Sequence, residues 1–171
     1  VSIKEKSVED NKINVDIEVE EKTTGQFQAG VSFGTLQGVA FITGLNEKNI
    51  AGAGREIELT INTSEENTIY NFGIVEPYIF NRDLDFIFDI NYEDNDYSKT
   101  SSYELTDFNT STGFNYLLSD DLDHKITFQY SLKDYKISNT STASDSVQKL
   151  AGNNADINLN NTLTYYNFLT S

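Results

Sequence analysis

Apolar and polar side chains alternate in several separate stretches of this chain, and that period of two constrains the fold more than any other feature. In residues 84–92, Leu84, Phe86, Phe88, Ile90 and Tyr92 share one parity, while Asp85, Asp89 and Asn91 hold the other. Successive side chains of an extended strand point to opposite faces, so the pattern describes a strand with one apolar and one polar face. Residues 124–133 repeat it, with Ile126, Phe128, Tyr130 and Leu132 opposed to Lys125, Thr127, Gln129, Ser131 and Lys133. Residues 55–62 do so through Ile57, Leu59 and Ile61 against Glu56, Glu58, Thr60 and Asn62. Weaker alternation runs through 26–33, 38–45, 68–76, 103–117 and 157–168, which makes eight predicted strands after Thr24.

The predicted connections are 34–37, 46–54, 63–67, 77–83, 93–102, 118–123 and the long 139–156, of which only 143–150 suits a turn or two of helix. Parallel neighbours need crossovers of about a dozen residues or more, so these connections predict an all-β, antiparallel up-and-down meander. The third, fifth and seventh connections grow longer and more polar, and those between them hold the Gly-rich and Pro-containing turns. Outer-membrane barrels show this asymmetry between their two ends. The first 23 residues differ, carrying charges of both signs with alternation through 13–20, and read as the hairpin-like end of a preceding soluble domain.

Composition narrows the function. With 12 Lys plus Arg against 27 Asp plus Glu, the net charge of −15 argues against a nucleic-acid partner, because phosphate binding rests on clustered cations. Cysteine is absent, which removes disulfides and thiolate metal sites, and the absence of methionine leads us to expect a processed product or a fragment. No apolar run reaches the roughly 18–20 residues of a membrane-spanning helix. A barrel strand needs only about 9–11 alternating residues, so a mean hydropathy of −0.46 fits a soluble β-sandwich and a membrane barrel alike. Glu56, Glu58, Asp85, Asp89, Lys125 and Lys133 sit mid-strand on polar faces, which suits a hydrated lumen or one wet face of a soluble sheet. Tyr70, Tyr78, Phe80, Tyr92, Tyr103, Tyr116 and Tyr130 lie near stripe ends, in the manner of an interfacial aromatic girdle.

No constellation suggests catalysis, a cofactor or a metal. His124 is the single histidine, and its neighbours Asp120, Asp121 and Asp123 sit in a predicted turn rather than beside a serine in catalytic order. Asp94 and Asp96 open like a calcium loop, but Lys99 stands where its glycine belongs and Leu105 where its bidentate glutamate belongs. The sequons at Asn62, Asn109, Asn139 and Asn160 arise readily in a chain rich in Asn, Ser and Thr, and the segment 52–54 lacks a phosphate loop's lysine.

The run 15–38, VDIEVEEKTTGQFQAGVSFGTLQG, resembles the junction between the last POTRA domain and the first barrel strand in the BamA family of outer-membrane protein assembly factors, also described as bacterial surface antigens. Glu21, Lys22, Thr24, Gly25, Phe27, Gly30, Phe33 and Gly34 fill that pattern. Asn49, Gly52 and Gly54 match the family's N-x-x-G-x-G turn, and Glu76, Pro77 and Tyr78 its (D/N/E)-P-Y strand end, in the same order. The resemblance implies that 1–23 end a periplasmic POTRA domain. It also implies that 24–171 form the first half of a sixteen-stranded barrel, without the later V-R-G-F loop. Its implied function is to fold and insert β-barrel proteins, without enzymatic activity or a cofactor. Implied partners are outer-membrane lipid, unfolded outer-membrane protein clients and the lipoproteins of an assembly complex.

Glycine weakens a strand. Gly25, Gly30 and Gly34 therefore make Gln26, Phe27, Gln28, Ala29, Gly30, Val31, Ser32 and Phe33 a candidate lateral gate, whose unpaired backbone receives a client strand. Relief of curvature by the same glycines is the competing reading. A secretion transporter of the same superfamily and a soluble sandwich for binding or adhesion stand as alternative functions.

Overall fold

The computed structural model describes residues 2–8, 12–18, 20, 23–35 and 38–166. Strands β1 (Ser2–Val8) and β2 (Lys12–Glu18) pair antiparallel as a small separate sheet, bridged by Lys4 Nζ and Glu18 Oε2 at 3.1 Å. Eight further strands follow: β3 (Gly25–Gly34), β4 (Gly38–Ile50), β5 (Arg55–Thr63), β6 (Asn67–Glu76), β7 (Leu84–Asp96), β8 (Tyr103–Ser119), β9 (Leu122–Ile137) and β10 (Gly152–Tyr165). They form one antiparallel sheet in which every strand pairs with its sequence neighbours, from β3 at one edge to β10 at the other. This is the predicted meander with the predicted eight strands.

Register carries the alternation across the whole sheet. On one face Leu59 stands opposite Phe72, Phe72 opposite Ile90, Ile90 opposite Thr110, Thr110 opposite Tyr130 and Tyr130 opposite Ile157. On the other, Thr60, Asn71, Asn91, Asn109, Ser131 and Asp156 form the adjacent row. Charged residues reach the apolar face only towards its ends, with Glu47, Arg55 and Glu76 at one end and Asp94 and Asp134 at the other. The apolar set of β7 spans about 26 Å of strand. Tilted by about 40°, it crosses about 20 Å, close to the roughly 25 Å apolar band of an outer-membrane barrel.

Among the described residues no second layer covers either face. Among the described residues no large side chain is fully buried, and Ala143 is the only hydrophobic residue of the buried class. The sandwich expected as an alternative would bury its apolar face against a second sheet, and here that face stays open.

Several boundaries depart from expectation. β4 continues to Ile50, so the predicted turn 46–54 shrinks to 51–54; β7 continues to Asp96, and the connection before β9 is only Asp120 and Asp121. β10 begins at Gly152 rather than near Ile157. The extension of β7, Glu93 to Asp96, is polar on both faces and those of β4 and β10 mostly so, so alternation stops there before the backbone ladder does. The long connection before β10 holds a short helix, Asp145–Leu150, with Ser144 Oγ accepting the Val147 N–H. The turns 51–54, 77–83 and 120–121 share one end of the sheet, and the connections 35–37, 64–66, 97–102 and 138–151 share the other and lengthen along the chain. Glu21, Lys22, Leu36, Gln37 and the predicted strand end 167–168 lie outside the described residues.

Candidate functional site

Strand β3 lies at the sheet edge, so its backbone has one partner strand. Alternate N–H and C=O groups point away from β4 and meet no strand among the described residues. By register Phe27, Ala29, Val31 and Phe33 share the apolar face, while Gln26, Gln28, Gly30 and Ser32 share the polar face. The apolar set is open, with Phe27 73%, Val31 68% and Phe33 78% exposed.

The motif residues converge at the end of the sheet where β3 begins. Asn49 Oδ1 accepts the Gly54 N–H at 2.7 Å, and the Gly52 N–H donates to the Asn49 carbonyl at 3.2 Å. Gly52 and Gly54 adopt φ of 73° and 69°, where a side chain is disfavoured, so asparagine and both glycines are needed for one tight turn. Pro77 packs against this turn, its Cγ 3.5 Å from the Cβ position of Gly54. Arg55 Nε donates to Glu76 Oε2, bracing β5 against β6 beside the same turn.

Glu47 joins the remaining motif to this group. Its Oε1 accepts from the Thr24 hydroxyl and, at 2.9 Å, from the Asn49 N–H. Its carboxylate lies over Gly25, where a Cβ would collide with it. Thr24, Gly25, Asn49, Gly52, Gly54, Glu76, Pro77 and Tyr78, scattered over more than fifty positions, thus gather at one rim. Sequence reasoning missed Glu47 and Arg55. The available signal was a charge ending an apolar stripe, as in Leu45 then Glu47 or Arg55 then Ile57.

The turn at Tyr78 is strained. Tyr78, Phe80 and Asn81 have φ of 54°, 57° and 56°, around a short 3-10 segment Ile79–Asn81, and Phe80 is 84% exposed. The predicted girdle is realised in part. Tyr70 and Tyr92 stand side by side on the apolar face with ring centroids 6.1 Å apart, and Tyr116 marks its opposite end. Tyr130 sits mid-face, and Tyr103 stacks with Tyr97 and Tyr135 at 5.1 and 6.0 Å on the opposite face.

The polar face is knitted by amides and carboxylates. Asn91 Nδ2 donates to Asn71 Oδ1, and Asn67 Nδ2 to Asn95 Oδ1, while Ser111 Oγ donates to Asp89 at 3.1 Å. Lys133 pairs with Asp107 at 3.2 Å. His124 lies near the start of β9, in the predicted strand, between the Tyr116 hydroxyl on Nδ1 and Asn161 Oδ1 on Nε2. Beyond β10, the Tyr166 hydroxyl donates to Asp123 at 2.9 Å, which pushes its pKa above the ordinary tyrosine value. Among the described residues, no group of three or more His, Asp or Glu is placed to hold a metal ion.

Residues 49–168 match the family model for the Omp85 superfamily domain. A 79-residue stretch, 46% of the chain, is 27% identical to the outer membrane protein assembly factor BamA of Buchnera aphidicola subsp. Acyrthosiphon pisum (strain APS). The fold is similar to the crystal structure of BamA from Haemophilus ducreyi lacking POTRA domains 1–3, with a TM-score of 0.60 and 17% identity over 99% of this chain. The matched stretch amounts to 13% of the length of the first relative, and the chain covers 35% of the second.

Proposed function

The chain belongs to the Omp85 superfamily, and on that premise we propose that it is the first half of an outer-membrane barrel that folds and inserts other β-barrel proteins. Strand β3 is the edge at which a client strand is received. The observation that carries this reading is an apolar sheet face that no second layer covers among the described residues, with β3 as one edge of that sheet. In hydrocarbon every backbone N–H and C=O must be satisfied, since each unpaired group costs several kcal/mol. An open edge at the bilayer therefore favours any extended segment that completes its ladder. Such a reaction makes and breaks only hydrogen bonds, so it needs neither a catalytic residue nor a cofactor.

In this reading the apolar face meets outer-membrane lipid, and the polar face lines a hydrated interior. The rim gathered by Asn49, Gly54 and Pro77 is periplasmic, and the lengthening connections face outward. The β1–β2 hairpin, followed by the Thr24-Gly25 joint, supports 1–23 as the end of a periplasmic POTRA domain. The partners are unfolded outer-membrane proteins and, by likeness to the family, the lipoproteins of an assembly complex.

Photo-crosslinking tests the central claim. A crosslinker at Ala29 or Ser32 of the full-length protein, in cells exporting a barrel client, is expected to capture the client's terminal strand. Uniform absence of adducts, with a control crosslink elsewhere in the barrel working, would sink the gate.

A further inference from the structure

Pro77 and Tyr78, matched in the sequence as part of a strand end, stand beside a groove that pairing at β3 leaves unused. The groove has a volume of about 340 Å³ and is lined chiefly by Pro77, Tyr78, Asp83, Asp85, Asn115 and Leu117. It lies at the same rim as the Asn49–Gly54 turn, since Gly54 also borders it. Asp85 stands opposite Asn115, and Leu117 shares the parity of Asn115, so all three belong to the polar face. Of the strand residues at the groove only Tyr116 belongs to the apolar face.

Two kinds of chemistry meet there. Asp83 and Asp85 bring carboxylates, and neither accepts a hydrogen bond or forms an ion pair among the described residues. Arg82, adjacent in sequence, and Lys125, across Asn115 by register, pair with neither, and Arg55 is already bound to Glu76. Tyr78 adds a ring that is 64% exposed, and Leu117 an aliphatic side chain that is 54% exposed. The Tyr78 backbone is left-handed, at φ 54° and ψ 35°, so its ring is held at the groove at a conformational cost that glycine would not bear.

A small cation would meet the carboxylates and leave Tyr78 and Leu117 in water, and an aliphatic group would strand the carboxylates. An arginine side chain suits both. Its planar fork of donors matches carboxylate oxygens, its face stacks on an aromatic ring, and its methylenes lie along apolar surface. In an extended chain the side chain two residues on projects to the same side, about 7 Å away. That is within reach of a second, apolar contact at Leu117. A lipid headgroup suits the place less well, because the groove's strand residues mostly face away from the surface assigned to lipid.

We propose that this groove binds an extended polypeptide segment in which an apolar residue lies two positions from an arginine, the guanidinium held by Asp83 and Asp85 against the Tyr78 ring. The source of the segment, an unfolded client arriving at the rim, rests on the assembly reading, and the chemistry of the groove does not.

Fluorescence anisotropy on the full-length protein in detergent micelles tests it. The probe is a labelled peptide of alternating arginine and leucine, compared with the same peptide carrying citrulline, which keeps arginine's shape without its charge. The arginine peptide is expected to bind at least tenfold more tightly, as charge-assisted hydrogen bonds imply. Asp83→Asn with Asp85→Asn should abolish that preference. Asp120→Asn with Asp121→Asn, an equal loss of charge in a turn at the same end, should preserve it. Tyr78→Leu should weaken binding about threefold, the size of one exposed cation–π contact. Equal binding of the two peptides by the unaltered protein overturns the proposal without recourse to any variant. Equal competition by spermidine at matched charge overturns the peptide as occupant, as does loss of binding when phosphatidylethanolamine is added to the micelles. Client insertion is measured separately. The Asp83→Asn, Asp85→Asn variant is expected to lose rate at limiting client and to keep it at saturation, and an unchanged rate at limiting client overturns the client as the source of the segment. An unaltered protein that binds the arginine peptide but inserts no client counts against the assembly reading and leaves the groove standing.

Discussion

A Cβ on Gly113 would collide with the Ile126 carbonyl and lie 2.6 Å from Thr127 Cγ2 and 2.8 Å from Thr127 Cα. Backbone atoms cannot turn aside as a side chain can, so the sheet must spread between β8 and β9 to admit even a methyl group. Gly113→Ala is expected to destabilise by about 1–3 kcal/mol, the usual range for overpacking. Gly73→Ala should cost less, because the atom it meets is Asp89 Oδ1 at 3.0 Å, the end of a rotatable carboxylate. Urea midpoints of the two variants folded in detergent give the order, and equal midpoints would refute the distinction between backbone and side-chain obstruction. The sequence exposes such residues unevenly. Asn49, Gly52 and Gly54 were recognisable because a tight turn restricts residue types locally. Glu47 was not, since its role depends on Thr24 and Gly25, more than twenty positions away and visible as neighbours only once the register of β3 and β4 is known.

At the scale of elements, the strands were legible wherever one face was apolar and the other polar, as in β5, β7 and β9. Their ends were not, because Glu93 to Asp96 and Gly152 to Asn154 continue the backbone ladder beyond the apolar band. Backbone pairing in those extensions leaves no hydropathic trace. The connection after β6 was legible as a turn through Pro77, but its strain was not. Phe80 occupies left-handed backbone, which costs a non-glycine residue about 1–2 kcal/mol. With its ring almost fully exposed, it recovers little by packing within this chain. Phe80→Gly should therefore stabilise the isolated chain in detergent by up to about 1 kcal/mol after glycine's greater unfolded-state entropy is subtracted. A lowered urea midpoint would show instead that the ring has a partner in micelle or bilayer that offsets its backbone cost.

For the molecule as a whole, the decisive property is that two chemically opposite surfaces lie back to back with only a backbone sheet between them. Alternation predicted this arrangement without saying which face meets which solvent, because a period of two is the same for a soluble sheet and a membrane barrel. The open sheet answers part of that question: no second layer of protein covers the apolar face among the described residues, which leaves that face to lipid or to further protein. Phe128 and Gln129 test which, being adjacent in β9 and opposite in facing, with Phe128 beside Thr112 and Leu159 and Gln129 beside Ser111 and Asn158. The chain contains no tryptophan, so Phe128→Trp and Gln129→Trp each place a single indole on a chosen face. In bilayers containing acyl-brominated lipid, the first is expected to be strongly quenched and to resist aqueous acrylamide, and the second to behave in the opposite way. If the apolar face were instead covered by a second copy of the chain in solution, both indoles would ignore the brominated lipid. Quenching at position 128 alone is the pattern that only a lipid-facing sheet with a hydrated inner surface produces, and it links the period of two in the sequence to the solvent on each side of the protein.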